Sequence, residues 1–203
     1  TQQVSSAASD VYKRQSMHLD VKITGEASGA SGHTYVNYTN NTGHALVDTV
    51  ELEIGGQRID KHYGHWLDVW NELTDHDGQE RTLLNKHSAK NSYLRSHTNA
   101  TLNDLQLYVP LKFWFNRNPG LALPLIALQY HEVKLKFTWG AAADVGATAT
   151  CKVFCDYIYL DTDERRRFAQ VSHEYLIEQL QKQTASASTS QKLNFNHPVK
   201  ELI

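Results

Sequence analysis

The segment Phe113-Trp-Phe-Asn-Arg-Asn-Pro-Gly-Leu-Ala-Leu-Pro-Leu-Ile-Ala-Leu-Gln-Tyr130 is the strongest indication of fold class in this sequence. It is too apolar for a surface loop, and Pro119, Gly120 and Pro124 interrupt any helix. Its apolar runs are also shorter than the roughly 20 residues of a transmembrane helix. Proline in a sheet is confined to strand starts, edges and bulges. The stretch therefore predicts a buried corner, at which the chain passes from one layer of a β-sandwich to the other.

Strand patterns surround this corner. Segments that alternate apolar and polar residues, the mark of a half-buried strand, are residues 19–23, 45–54 and 132–139. Further strands are predicted at residues 105–115 and from residue 193 onward. Residues 175–180 could extend a preceding helix or begin a strand, and a strand is favoured. Residues 151–160 are denser in apolar groups, which predicts a central strand covered on both sides. Many short strands with few helices indicate an all-β sandwich.

Two short helices are predicted beside the strands. Apolar residues at i, i+3, i+4 and i+7 form one stripe of an amphipathic helix: Trp66, Val69, Trp70 and Leu73. We expect its tryptophans to pack on the sandwich. A second helix is predicted over residues 165–172, because the acidic residues at 161–164 complement a helix N-terminus. Residues 74–101 turn polar and predict a long external loop.

Four blocks of sequence carry a family resemblance. They are residues 54–60 with 66–73, residues 110–115 through 120–131, residues 157–168, and residues 173–177 with 196–202. In this order, and over most of the chain from about residue 43 onward, they resemble the major capsid proteins of nucleocytoplasmic large DNA viruses. The likeness is to the phycodnavirus, iridovirus and mimivirus type, in which two jelly rolls stand side by side.

The resemblance implies a jelly-roll β-sandwich with one or two short helices, the first jelly roll of a double jelly-roll protein, N-terminally incomplete. It implies a structural role in a large icosahedral virion with a double-stranded DNA genome. Homotrimers would form pseudo-hexameric capsomers that contact neighbouring capsomers and minor capsid proteins near an internal membrane, after assembly in the host cytoplasm. Enzyme activity, catalytic residues, cofactors, metals and direct nucleic-acid contacts are not expected.

The resemblance also divides the chain into three parts. Residues 1–18 are expected to be a non-native or disordered leader, because residues 5–15 resemble translated sequencing-adaptor DNA. Residues 19–172 are expected to form the partial first jelly roll. Residues 173–203 are expected to be a linker and the first strand or strands of the second jelly roll.

Bulk properties exclude several classes of protein. A formal net charge of -2 gives no basic face for nucleic acid, and the N-terminus lacks the layout of a secretion signal. Cys151 and Cys155 lie four residues apart in one predicted strand. Their Cα atoms would be about 13 Å apart, beyond the roughly 7 Å that a disulfide allows. We expect both to be reduced.

The histidines do not predict a metal centre. His62 and His65 are spaced to share a helical face, but no third ligand completes a zinc site near them. The sequence also lacks the nucleophile elbow and phosphate-binding loop of common enzyme classes.

The sequons at Asn37, Asn40 and Asn99 leave glycosylation open.

The residues expected to matter are structural. Arg165, Arg166 and Arg167 are expected to form bidentate ion pairs at the junction between two domains, because nearby acidic residues oppose a phosphate site. With the turn, helix and corner residues they make the full set: Gly55, Gly56, Trp66, Trp70, Trp114, Pro119, Gly120, Pro124, Arg165, Arg166 and Arg167.

Two other classes of function stay open at this point. A carbohydrate-binding jelly-roll module would need an exposed row of aromatic residues, for which the candidates are Tyr35, Tyr38, Tyr63 and Tyr93. A cupin-like metalloenzyme would need a His-x-His pair with a glutamate, and the sequence has no His-x-His.

Overall fold

The structure is a computed structural model that describes residues 13–24, 42–74, 105–140 and 148–203. Its strands are β1 (Lys13–Thr24), β2 (Val47–Ile54), β3 (Gln57–Tyr63), β4 (Leu105–Pro110), β5 (Leu123–Pro124), β6 (Val133–Trp139) and β7 (Thr148–Ile158). Its helices are α1 (Thr42–Leu46), α2 (Gly64–Thr74), α3 (Trp114–Arg117) and α4 (Thr162–Gln170). The expectations for residues 1–12, Asn37, Asn40, Asn99 and residues 75–101 lie outside the described residues.

The strands form two antiparallel sheets. In one, β1 lies between β7 on one side and β4 and β5 on the other, since Lys13 pairs with both Pro124 and Ile158. In the other, the strand order is β3-β2-β6. A single cluster of buried side chains draws on both sheets. The predicted β-sandwich architecture is therefore confirmed.

Alternation places every second residue of the strands in this core. In β6, Val133, Leu135 and Phe137 are buried, as the sequence pattern predicts. In β2, Val50 and Leu52 are buried, and they pair with Phe137 and Leu135 across the ladder. The alternating segments of the sequence therefore predict correctly which residues of these strands face the core.

Gly55 and Gly56 form the tight turn between β2 and β3. Their φ angles are +60° and +83°, as the mirror-image turns of two-residue hairpins require. A side chain at Gly55 would also place its Cβ 2.6 Å from Nδ1 of His131. The predicted turn is present, and Gly55 is further restricted by close packing.

Helix α2 forms where predicted but buries a different face. Gly64, Leu67 and Asn71 are its buried residues, while Trp66 and Trp70 are half-buried and Leu73 is 54 % exposed. The predicted tryptophan stripe is wrong as the contact face. The helix lies so close to the sandwich that a Cβ at Gly64 would be 2.1 Å from the carbonyl oxygen of Val47. The helix therefore contacts the sandwich through Gly64, Leu67 and Asn71, and the two tryptophans lie beside this face.

Strand β7 is not covered on both sides. It pairs with β1 alone among the described strands, and Phe154 on its outer face is 55 % exposed. The prediction of a central strand is wrong. Phe154 makes this part of the sequence more apolar, but its side chain lies on the outer face and is exposed. The half-buried face holds Cys151, Val153 and Cys155.

The ends of the described chain differ from the expected strands. β1 begins at Lys13 rather than Leu19, so residues 13–18 of the expected leader belong to a paired strand. At the other end, residues 171–203 contain neither helix nor strand. The strands predicted at 175–180 and from 193 onward are therefore not observed, and we refer to residues 171–203 as the C-terminal segment.

Candidate functional site

The corner, defined as residues 113–128, links β4 of one sheet to β6 of the other. Its first part is a cluster of buried rings, in which Phe113 stacks on Phe115 with centroids 5.7 Å apart and Trp114 meets Phe115 edge-on at 5.2 Å. Asn116 closes the turn, because its side chain accepts the N–H of Phe113 at 3.2 Å. Aromatic packing thus fixes the start of the corner.

Polar capping and proline shape the second part of the corner. Pro119 begins a single 3-10 turn at residues 119–121, and the side chain of Asn118 accepts the N–H of Gly120 at 2.9 Å. Leu123 and Pro124 are buried and pair with β1, while Leu121, Leu125 and Leu128 pack partly buried against the core. The predicted buried corner between two layers is confirmed.

The corner, helix α2 and the C-terminal segment meet at a chain of charged and aromatic groups. The Arg117 guanidinium lies 4.6 Å from the Trp70 ring centroid, and its Nη2 lies 2.9 Å from Oε2 of Glu178. Lys200 contacts the other carboxylate oxygen of Glu178. The hydrogen bond from Lys200 and the charge of Arg117 hold the pKa of Glu178 below its usual value.

A second set of contacts joins strand β3 to the same segment. Oδ1 of the buried Asp60 accepts the N–H of Lys61 at 2.8 Å and that of Leu180 at 3.2 Å. Its Oδ2 lies 3.1 Å from Nε2 of His62, without hydrogen-bond alignment. The His62 ring stacks on Phe113 with centroids 4.4 Å apart, so this site is continuous with the corner.

Flanking contacts extend the attachment of the segment. The side-chain amide of Gln179 donates to the carbonyl oxygen of Ile59. Lys182 Nζ lies 4.5 Å from the Tyr63 ring centroid. Ile177 packs against the core. These contacts run along β3, which is the edge of its sheet among the described strands.

Glutamine side chains replace a backbone ladder farther along the segment. The side-chain amide of Gln181 donates to the carbonyl of Asn196 at 3.2 Å and accepts its N–H at 2.9 Å. Gln183 donates to the carbonyl of Lys192 and accepts the N–H of Asn194. Residues 181–183 and residues 192–196 are therefore joined through glutamine side chains and not through a backbone ladder.

An apolar groove of about 460 Å³ lies between the corner and the start of the segment. Trp114, Leu123 and Leu128 line one side, and Phe168 and Ile177 contribute to its lining as well. His173 and Tyr175 are its ionisable groups, and burial raises the pKa of Tyr175. The groove is an extension of the packed corner, with few of the converging polar groups typical of ligand sites.

The arginine run lies on helix α4. Asp161 caps the helix by accepting the N–H of Thr162 at 2.6 Å, as the acidic residues predict. Arg165 is half-buried, Arg166 and Arg167 are exposed, and Arg166 lies 4.0 Å from Asp163. The bidentate ion pairs of this run at a domain junction stay a prediction. The arginine that forms an ion pair with the C-terminal segment is Arg117. In the sequence, Arg117 is marked by being a single charged residue inside an apolar stretch.

The histidines and cysteines are placed apart. His62 is buried in β3, whereas His65 is exposed on α2, so the two do not share a helical face. Within the described ranges, no group of three or more His, Cys, Asp or Glu side chains is placed to hold a metal ion. Cys151 and Cys155 share a face of β7 without a disulfide, and burial raises the pKa of Cys151.

Comparison with known proteins identifies the family. The family described as major capsid protein N-terminus matches residues 12–161, which include both sheets and the corner. The chain belongs to this family. Over 174 residues it is 57 % identical to the major capsid protein of Pyramimonas orientalis virus, covering 81 % of this chain and 43 % of that protein. The major capsid protein of Paramecium bursaria Chlorella virus 1 is 47 % identical over 182 residues, covering 77 % and 39 %.

Solved structures agree with this assignment. A quasi-atomic model of the PBCV-1 virus capsid matches with a TM-score of 0.67 and 39 % identity, covering 97 % of this chain and 50 % of that chain. The predicted jelly-roll fold is therefore confirmed. The chain spans less than half the length of the two relatives, each of which is named a major capsid protein and not an enzyme.

Proposed function

We propose that this chain supplies the first jelly roll of a structural major capsid protein in a large icosahedral double-stranded DNA virus. The main support for the proposal is the packing of the corner, whose apolar residues fill the space where the two sheets meet. Interior residues used in this way make a rigid block. Rigidity, rather than chemistry on a substrate, is what the arrangement supplies.

Assembly into homotrimeric, pseudo-hexameric capsomers is the finer part of the proposal. Large apolar side chains on the surface support it, since removing their apolar area from water at a protein contact is favourable. Tyr130 is 94 % exposed, Leu176 is 89 % exposed, and Leu193, Val199 and Leu202 of the C-terminal segment are also exposed. We infer that these residues are covered by the second jelly roll, by neighbouring capsomers or by minor capsid proteins.

The proposed location is the virion capsid, after assembly in the host cytoplasm. The net charge of -2 favours protein partners over direct contact with nucleic acid. The described residues include no helix with the length and apolar character needed to cross a lipid bilayer. The proposed relation to an internal membrane is one of proximity.

The carbohydrate-binding alternative gains no support from Tyr63. Lys61 and Lys182 lie 5.5 Å and 4.5 Å from its ring centroid, so cationic side chains lie close to the ring that a sugar would need. Tyr35, Tyr38 and Tyr93 lie outside the described residues. Binding to a glycan array by the purified protein would favour this alternative.

The proposal is tested on the complete protein that contains this chain. We expect size-exclusion chromatography with light scattering to give three copies per particle, and negative-stain electron microscopy to show a hexagonal outline. A stable monomer over micromolar concentrations would contradict the capsomer proposal. The family assignment would stand in either case.

A further inference from the structure

A buried carboxyl group on an edge strand contacts the main chain of a distant segment. The side chain of Asp60 is 1 % exposed and lies in β3, the edge of its sheet among the described strands. Its Oδ1 accepts the N–H of Leu180, which lies 120 residues later in the chain. Because a buried acceptor that loses its donor is costly, this contact is suited to hold the segment in one register.

Asp60 contacts the main chain of the segment and not one of its side chains. The donor is the N–H of Leu180, and the neighbouring Gln179 donates to a backbone carbonyl, that of Ile59. Together they join the segment to the Asp60 carboxylate and to one main-chain carbonyl of β3 without forming a ladder. The position of the segment along the strand is therefore defined by residues 179 and 180.

His62 lies beside the carboxyl group. Its Nε2 lies 3.1 Å from Oδ2 of Asp60, and its ring is stacked on Phe113 of the corner. Within the described residues, Oδ2 of Asp60 and Nδ1 of His62 have no hydrogen-bond partner. Buried polar atoms without partners are rare and call for a specific explanation, and a positioning role accounts for keeping this pair in the core.

We propose that Asp60 is a positioning residue that anchors the C-terminal segment and thereby sets the point at which the chain leaves the first jelly roll. This role rests on the proposed function in one respect, because the segment matters for assembly only if it leads to a second jelly roll. The anchor itself is a property of the described residues. It differs from the expected junction through Arg165, Arg166 and Arg167.

The competing explanation is that Asp60 serves only its own strand by accepting the N–H of Lys61. The segment would then be held by other contacts, chiefly the ion pair of Arg117 with Glu178. The two explanations differ in what happens when the N–H of residue 180 is removed while the sandwich is left untouched.

Leu180→Pro removes that N–H, and Leu176→Pro makes the same change at an exposed leucine of the same segment. Hydrogen–deuterium exchange with mass spectrometry is then compared over residues 181–196, which include the hydrogen-bonded amides of Asn194 and Asn196 and keep every amide in both variants, and over β2 and β6. We expect Leu180→Pro to speed exchange in the segment by roughly tenfold or more, the size expected for a lost bond to a buried acceptor. We expect β2 and β6 to keep their protection.

Asp60→Ala provides the second arm of the experiment. It should speed exchange in the segment to the same extent, and adding Leu180→Pro to it should have no further effect, since both changes remove one contact. If Asp60→Ala fails to fold, the comparison of Leu180→Pro with Leu176→Pro decides alone. Equal exchange in those two proline variants, or additive effects in the double variant, would overturn the anchor.

The outcome is separable from the proposed function. Trimer formation by the complete protein is measured independently of exchange in the segment. An intact anchor in a monomeric protein would contradict only the capsomer proposal, and trimers with an unprotected segment would contradict only the anchor.

Discussion

Arg117 of the corner and Glu178 of the C-terminal segment form an ion pair, with Nη2 and Oε2 separated by 2.9 Å. Arg117 also lies over Trp70, so one side chain joins the corner, helix α2 and the segment. This relationship places the attachment of the segment at the corner itself.

Arg117→Met should loosen the segment with little effect on the sandwich. The side chain of Glu178 is 44 % exposed, and exposed ion pairs contribute about 0–1 kcal/mol, to which the contact with Trp70 adds a similar amount. We expect the free energy of unfolding to fall by about 1 kcal/mol in a denaturant titration. Arg166→Met, at an exposed arginine of α4, is the matched control and should change it by less than about 0.5 kcal/mol.

Acid should weaken the same contact. The pKa of Glu178 is lowered in the folded protein, so its contribution to stability is present above the unfolded pKa, whose reference value is 4.5. It is lost as pH falls through the lower folded value. Glu178→Gln should therefore lower the unfolding temperature at pH 7, and the difference from the parent should shrink as pH falls below about 4. A difference that grows toward low pH would contradict this sign.

Gly64→Ala should be strongly destabilising. A Cβ there would lie 2.1 Å from the carbonyl oxygen of Val47 and 2.2 Å from that of His44. Both are backbone atoms, so helix α2 must move, at a cost of roughly 1–3 kcal/mol or more. Gly56→Asn is the control, because its Cβ meets nothing within 4 Å and asparagine tolerates a positive φ. Thermal unfolding should separate the two variants clearly.

Phe115→Ala should open a cavity in the corner. Phe115 is fully buried and contacts both Phe113 and Trp114, and such a truncation costs about 3–5 kcal/mol. Tyr130→Ala removes a ring that is 94 % exposed and should change stability by less than about 0.5 kcal/mol. Similar losses for the two variants in denaturant unfolding would contradict the placement of the corner in the core.

Period-two patterns allowed the sheets to be predicted because each of those strands buries one face. The buried face of α2 was not predictable in the same way, since close approach at Gly64 selects small residues while apolar periodicity weights the large tryptophans. Burial of β7 was overestimated because Phe154 counts as apolar on either face. The sequence pattern shows which residues are apolar, whereas the distance between packed helices and strands determines which of them are buried.

The junction through Arg165, Arg166 and Arg167 stays a prediction, whereas the attachment of the C-terminal segment through Arg117 was not predicted, for a related reason. Arg165, Arg166 and Arg167 stand out as a run, but Arg117 and Asp60 act through partners that lie far away in sequence. No local pattern encodes a contact across 120 residues. The C-terminal strands were not predictable from alternation alone because a strand also needs a partner, and the bonds between residues 181–183 and 192–196 are made by glutamine side chains.

Thiol labelling can show whether the corner fills the interior of a rigid sandwich. Cys151 and Cys155 are first replaced by serine, and a single cysteine is then introduced as Leu123→Cys or as Tyr130→Cys. We predict that the thiol at position 123 is protected in the folded protein and reacts only on unfolding, while the thiol at position 130 reacts at once. Equal labelling rates at the two positions in the folded protein would contradict the account.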